Sequence, residues 1–239
     1  MPVAPDHSIV AHFPLPYDET QLRAEMEEMR GRLAGPVTFA LMVHTAELEP
    51  SIKEIVEVIR IHGRVPTLIG CSAEAVLADE REYENVPGFT VALYHLPETQ
   101  VRAVHLPEDS FSAESGATLA ARLPDPAGGN WSWLLFAAPT ATVNESWLRK
   151  WDGATGGAVT VGGFASGRMD GEVALYLNGS IHQTGAIALG LQGRVQIEAV
   201  TSQACRPIGS PWTITRASHN VIHQIGNRPI LEVLRDTLE

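Results

Sequence analysis

Apolar side chains recur at helical spacing in two well-defined segments. In residues 18–32 the repeat consists of Leu22, Met26 and Met29, and Asp18 stands at the N-cap position. In residues 51–62 one stripe is formed by Ile52, Ile55, Val56 and Ile59. Ser51 and Glu54 have the spacing of a capping box, so a helix is predicted to begin there. Shorter helices are predicted at 112–123, 144–151 and 230–238.

Dense or alternating apolar runs predict the strands, which lie at 37–44, 66–69, 89–96, 101–106, 131–138, 158–161, 172–177, 181–191, 195–204, 212–217 and 221–225. Asn178-Gly179 is a strong hairpin signal. Hairpins outnumber strand–helix–strand crossovers, which favours an α+β fold over a doubly wound sheet. We therefore predict mixed, mostly antiparallel sheets with outer helices, and a loop at 79–85.

The order of elements occurs twice, in halves of about 36–123 and 131–205. Each half is predicted to run strand, helix, strand, glycine-bearing turn, strand, strand. Gly70-Cys71-Ser72-Ala73 would correspond to Gly162-Gly163-Phe164-Ala165, and the Val-Ala-Leu-Tyr run at 91–94 to the same run at 173–176. The alternative is that apolar strands simply look alike. A true duplication would place both turns at equivalent strand ends, with room for a ligand between them.

Outside these halves, residues 1–17 are predicted to form an extended leader or edge segment because Met1–Pro16 contains four prolines. The main domain is predicted at 18–210. A linker hairpin and helix are predicted at 211–239.

The net charge limits the classes of partner to be expected, and the cysteines indicate the cellular compartment. The 239 residues carry a formal net charge of −11 and no basic run, which argues against nucleic acid and an acidic membrane surface. No apolar stretch reaches the length of a transmembrane helix, so none is expected. Met1–Pro16 lacks a basic region followed by an apolar run, so a signal peptide is not expected. Cys71 and Cys205 are far apart, which is typical of a reduced, cytoplasmic setting.

Several segments together resemble the FIST family, named for F-box and intracellular signal transduction proteins. They are Gly70–Glu74, Gly162–Ala165, Leu175–Gly179, Gly185-Ala186, Cys205–Gly209 and Arg228–Leu234. The resemblance implies a bacterial sensory domain that binds a small ligand, with amino acids as a candidate class. It also implies signalling partners such as kinases or chemotaxis-type receptors, and a C-terminal domain beyond residue 239.

The candidate ligand-binding residues follow from the two turns and the resemblance. Backbone N–H groups in such turns can hold a carboxylate, and ligands of α/β folds favour strand ends. The candidates are Gly70, Cys71, Ser72, Ala73, Glu74, Gly162, Gly163, Phe164, Ala165, Ser166, Arg168 and Arg206. The Glu74 carboxylate is suited to bind the ammonium group of a ligand. Equally open alternatives are an ion pair with an arginine and simple exposure to solvent. Arg168 and Arg206 are each suited to bind an anionic group of a ligand. The alternatives are a surface position for Arg168 and an ion pair with a carboxylate of the fold for Arg206.

Three functions remain open: a small-ligand sensor, a hydrolase or transferase using Cys71, and a ligand-free interaction scaffold. The phosphate-loop, dinucleotide, serine-hydrolase and zinc-protease signatures are absent from the sequence. His219 and His223 have a metal-like spacing only if they lie on a helix. We expect a non-enzymatic sensor without cofactor, metal or catalytic residue, and a homo-oligomer is one option.

Overall fold

The computed structural model describes residues 6–111, 116–125, 128–142, 146–167, 172–201, 205–219 and 221–238. The chain divides into two units, Met1–Ala199 and Val200–Glu239. In the described part of the first unit the strands are β1 (Ser8–Pro14), β2 (Phe39–His44), β3 (Leu68–Ser72), β4 (Ala75–Ala78), β5 (Arg81–Glu84), β6 (Gly88–Tyr94), β7 (Thr99–Leu106), β8 (Trp131–Ala137), β9 (Thr160–Phe164), β10 (Leu175–Leu177), β11 (Ser180–His182) and β12 (Ala186–Gly193). Its helices are α1 (Glu19–Arg32), α2 (Ile52–His62), α3 (Gly116–Arg122) and α4 (Ser146–Thr155).

Two open sheets form the first unit. The first sheet has the order β1-β6-β2-β3-β10-β11, and the second has the order β7-β12-β8-β9. Only β2–β3 and β8–β9 pair in parallel; the remaining neighbours in both sheets are antiparallel. The predicted mixed, mostly antiparallel architecture is confirmed.

Three hydrophobic clusters show how the layers stack. One lies between the first sheet and helices α1 and α2, and contains Met26, Ile55 and Phe89. Another lies between the second sheet and helices α3 and α4, around Trp133 and Trp151. The third joins the inner faces of the two sheets. The unit is thus a helix–sheet–sheet–helix sandwich, with the helices on the outside as predicted.

Both sheets are built by the same sequence of elements. The order β1-α1-β2-α2-β3, hairpin β4–β5, β6 is repeated as β7-α3-β8-α4-β9, hairpin β10–β11, β12. The corresponding strands have the same spatial order, β1-β6-β2-β3 and β7-β12-β8-β9. The predicted pseudo-repeat is confirmed, but its bounds differ from the predicted 36–123 and 131–205. In the structure the halves span 8–94 and 99–193, so β1 and α1 belong to the first half and β7 and α3 to the second.

The repeat differs from the sequence alignment at two points. Residues 8–14, predicted as leader or edge segment, form the edge strand β1 and pair with β6. The two Val-Ala-Leu-Tyr runs are not equivalent: the first lies in β6, whereas the second leads into β10 of the hairpin. The counterpart of β6 is β12, whose sequence Ala-Ile-Ala-Leu shares only the apolar character. The alignment was wrong because buried strands of either kind have similar composition.

Some local predictions are confirmed and others are not. Asp18 caps α1 as predicted, accepting a 2.9 Å hydrogen bond from the Gln21 N–H. Ser51 makes no such bond, because a 3₁₀ turn over Ala46–Ser51 already precedes α2. The predicted loop at 79–85 contains β5, paired with β4. The described part of the predicted strand at 195–204 has no regular structure. Ser112 and Asn144, the first residues of two predicted helices, lie outside the described residues.

The second unit contains β13 (Ile214–Ser218), β14 (Val221–Ile225), β15 (Arg228–Pro229) and α5 (Ile230–Leu238). The three strands form an antiparallel sheet, in agreement with the predicted hairpin and final helix. His219 and His223 lie on a turn and a strand, not on a helix. Over the described part of the chain, no helix combines the length and apolarity needed to cross a membrane.

Candidate functional site

Gly70, Cys71 and Ser72 form the last residues of strand β3, and they do not form a turn. All three are buried. The turn begins at Ala73 and Glu74, where the chain leaves the sheet. The glycine is required at position 70 because a Cβ there would collide with the Met42 carbonyl oxygen and the Tyr176 ring. The sequence therefore places a small residue here for close strand packing.

Tyr176 fixes the ends of the two parallel strands. Its hydroxyl lies 2.9 Å from the carbonyl oxygen of Met42 in β2 and 3.0 Å from that of Cys71 in β3. The side chain is wholly buried, and this burial raises the pKa of its phenol well above the usual range. The hydroxyl stays protonated at physiological pH, and the two carbonyl oxygens share its one proton as acceptors.

His44, the last residue of β2, stacks on Tyr176 with ring centroids 5.6 Å apart. Its Nδ1 lies 2.6 Å from the Thr45 carbonyl oxygen, so Nδ1 carries the proton that is donated. Burial lowers the pKa of the imidazole, which favours the neutral form. Its Nε2 is buried without a hydrogen-bond partner in the described structure. The ring therefore supports the strand end as an uncharged group.

Hydrogen bonds join the chain near the end of β3 to the residues that follow β9. The Ser166 N–H donates to the Ser72 carbonyl oxygen at 3.1 Å, and the Glu74 N–H donates to Ser166 Oγ at 3.0 Å. Ser72 Oγ accepts a 2.9 Å bond from the Ala174 N–H. Ser72, Glu74 and Ser166, which sequence analysis selected from separate halves, thus lie together at one end of the two sheets.

A cleft of about 400 Å³ opens beside these residues. We call it the β3 cleft; its lining is Thr45, Ala46, Glu47, Ala73, Glu74, Asn85, Val86, Pro87 and Gly167. It lies beyond the carboxyl ends of the parallel strands β2 and β3, the usual position of ligands in α/β sheets. The side chains of Glu47, Glu74 and Asn85 are exposed there. The charged groups among these described lining residues are the carboxylates of Glu47 and Glu74.

The other candidates lie elsewhere. Gly162, Gly163 and Phe164 line a separate, largely apolar groove of about 380 Å³ between β9 and α4. Ala165 is buried between the sheets. Arg206 is exposed in the second unit, and Arg168 lies outside the described residues. The structure thus brings together Ala73, Glu74 and the segment 166–167, while it separates them from the glycine pair.

The position of Cys71 decides its chemistry. Its side chain is 6% exposed and packs between the two sheets. Burial raises the pKa of the thiol to about 12, so the nucleophilic thiolate is scarce at neutral pH. The exposed cysteine of the chain is Cys205.

Sequence analysis missed Thr45, Glu47 and Asn85. A signal for the first two was present: they follow the carboxyl end of β2, just as Ala73 and Glu74 follow that of β3. Asn85 has a positive φ of 55°, a conformation that asparagine tolerates better than most residues. Its approach to the cleft depends on the hairpin β4–β5, which was predicted as a loop.

Comparison with known proteins agrees with this architecture. An uncharacterized protein of Mycobacterium tuberculosis strain H37Rv is 28% identical over 211 residues, which cover 88% of this chain and 53% of that protein. An uncharacterized protein of Mycobacterium bovis is 30% identical over 175 residues, or 73% of this chain and 44% of that protein. The chain spans about half the length of the curated relatives it matches. The model of the FIST N domain matches residues 38–228, and the chain belongs to the FIST family.

Proposed function

We propose that this FIST N domain is the sensory part of a cytoplasmic signalling protein, and that it binds a small amine-bearing polar metabolite, such as an amino acid, in the β3 cleft. The observation that carries the proposal is the pair of carboxylates, Glu47 and Glu74, that line one cleft at the carboxyl ends of β2 and β3. Opposite charge attracts an ammonium group, and a carboxylate accepts its hydrogen bonds.

The size of the cleft supports a small ligand. A volume of about 400 Å³ lies in the range of small-molecule sites, which begins near 300 Å³. The floor is rigid because Tyr176 and Ser72 tie β2, β3 and β10 together. The walls, in contrast, are residues 45–47, 73–74 and 85–87, which lie outside these strands. A ligand that orders these walls would change the surface presented to a partner, such as a kinase or a chemotaxis-type receptor.

The test is a binding screen by calorimetry with three matched sets of compounds: amino acids, the corresponding amines, and the corresponding acids without the amino group. We expect binding by members of the first two sets only. Glu74→Gln and Glu47→Gln keep the shape and remove the charge, and each is expected to weaken binding about tenfold. Glu28→Gln, an exposed position on α1, is the control and should leave binding unchanged.

Two results would contradict the proposal. One is that no member of the three sets binds the folded protein. The other is that binding is unaffected by both cleft variants, or is as strong for the acids as for the amines.

A further inference from the structure

The outer edge of β9 is open in the described part of the protein. β9 ends the second sheet, and β8 is its described neighbour. The Trp133 N–H donates to the Val159 carbonyl oxygen, and the Ala165 N–H donates to that of Ala137, so the odd-numbered residues bond to β8. Because backbone groups alternate along a strand, Thr160, Gly162 and Phe164 direct their N–H and C=O groups away from β8. Such an edge can accept another strand.

The internal repeat shows what covers the equivalent edge. β3, the counterpart of β9, is paired antiparallel with β10. In that pair Tyr176 stands directly opposite Gly70, and its ring occupies the space over the glycine. The equivalent glycine is Gly162, since Gly70 pairs with Met42 of β2 and Gly162 pairs with Leu135 of β8. At Gly162 the corresponding space belongs to the groove against α4.

This α4 groove, lined by Gly162, Leu135, Trp147, Leu148, Trp151 and neighbouring residues, is the place where an aromatic ring is missing by comparison with the first sheet. Phe164 stands at its rim, 55% exposed, with its ring 6.5 Å from that of Trp147. Leu148, which also lines the groove, is 56% exposed. Clustered exposed apolar side chains of this kind are typical of interaction surfaces.

The sequence of β9 supplies its own partner. Gly162 and Phe164 are two residues apart and therefore lie on the same face of the strand. If two copies of β9 pair antiparallel about a two-fold axis between their Gly163 residues, Phe164 of each copy stands opposite Gly162 of the other. The outward backbone groups of Gly162 and Phe164 then face each other, which is the hydrogen-bonded type of pair. Gly163 accommodates the close approach at the axis, because it is exposed and has open space where a Cβ would lie.

We propose that two copies of this chain associate through β9, forming one continuous sheet across the dimer, with Phe164 of each copy over Gly162 of the other in the α4 groove. The interface is isologous, as a two-fold dimer requires. It repeats between molecules the contact that Tyr176 and Gly70 make within one molecule. The proposal does not depend on the ligand of the β3 cleft.

The first test measures the mass of the 239-residue chain by sedimentation equilibrium up to about 100 µM, a concentration that populates even weak specific complexes. We expect a dimer for the natural sequence and a folded monomer for Phe164→Asp. Leu77→Asp is the matched control, because Leu77 is an exposed apolar residue on the separate hairpin β4–β5. It should remain dimeric. A monomeric natural protein, or a dimer that survives Phe164→Asp, overturns the proposal.

The second test reads the register by disulfide formation in a Cys205→Ser background. Gly163→Cys places two thiols across the axis in a non-hydrogen-bonded pair, where Cα atoms lie about 4.5 Å apart, within reach of a disulfide. We expect rapid cross-linking to a covalent dimer. Val159→Cys is exposed one residue before β9, but its copies would lie roughly 26 Å apart, eight residues along the pair. Equal cross-linking of both variants, or none by Gly163→Cys, excludes this register.

Discussion

Cys71 and Glu74 are three residues apart, yet their surroundings assign them different roles. Cys71 points into the space between two sheets, whereas Glu74 follows the strand end and faces the cleft. A cysteine in a small-residue segment is ambiguous in sequence, because both reactive and packed thiols occur there. The sheet resolves the ambiguity in favour of packing.

Alkylation with iodoacetamide at neutral pH provides a test of this conclusion. In the Cys205→Ser variant we expect Cys71 to react at least about 100-fold more slowly than a free thiol, because its pKa is raised to about 12 and its sulfur is buried. In the Cys71→Ser variant, the exposed Cys205 should react at the rate of an accessible thiol. Mass spectrometry over time measures both rates. Fast labelling of Cys71 in the folded protein would revive the cysteine-enzyme hypothesis.

A substitution at Tyr176 gives a second prediction for a single residue. Tyr176→Phe keeps the ring over Gly70 and removes the hydroxyl that serves two buried carbonyl groups. We expect the free energy of unfolding to fall by about 1–2 kcal/mol, measured in urea, because these carbonyls lose their shared donor. Tyr17→Phe is the control: its hydroxyl bonds to Glu54 in an exposed position and should matter little. Equal effects of the two variants would contradict the assigned role.

The edges of the sheets make contact through histidines. His105 of β7 and His182 of β11 stack with ring centroids 3.6 Å apart. Burial lowers the pKa of both rings, and the neighbouring charges of His182 and Arg122 lower that of His105 further. The pair is therefore stable as two neutral rings.

Stability should consequently decrease in acid. The folded-state pKa of each ring lies below the unfolded value near 6.5, so the unfolded chain binds more protons as the pH falls through 6.5. The stabilisation is complete above that pH and is lost below it. Urea unfolding at pH 7.5, 6.5 and 5.5 should show a smaller loss for His182→Gln than for the natural protein. His219→Asn, at an exposed position with positive φ, is the control and should keep the full pH dependence.

Elements with a strong local pattern were predictable, and elements defined by distant partners were not. The stripe of Ile52, Ile55 and Ile59 identifies α2 because helical periodicity is a local property. β5, with the sequence Arg-Glu-Tyr-Glu, has no apolar run and forms a strand through pairing with β4. The lining of the β3 cleft was predictable only in part for the same reason. Residues 73–74 follow a strand that the sequence identifies, whereas the position of residue 85 depends on the hairpin β4–β5.

At the scale of the whole molecule, the members of the three hydrophobic clusters all lie within Met1–Ala199. A chain ending at residue 199 should therefore fold by itself, with a melting temperature within about 3 °C of the full chain. Ending the chain at residue 185 removes β12, the strand between β7 and β8, and should abolish cooperative unfolding. Calorimetry of the three proteins measures this. An unfolded 1–199 chain would show that the first unit depends on the second.

The placement of β10 in the first sheet has a consequence for synthesis in the cell. β3 and β10 come from opposite repeats, and their contacts join residues 105 positions apart, such as Cys71 and Tyr176. When the first repeat leaves the ribosome, the space over Gly70 is therefore not yet filled by the Tyr176 ring, and the edge of β3 is unpaired. Folding must wait for β10, and pairing over such a distance is slow. During that delay the nascent chain exposes an aggregation-prone strand edge, so we expect the yield of folded protein to depend on chaperones and growth temperature.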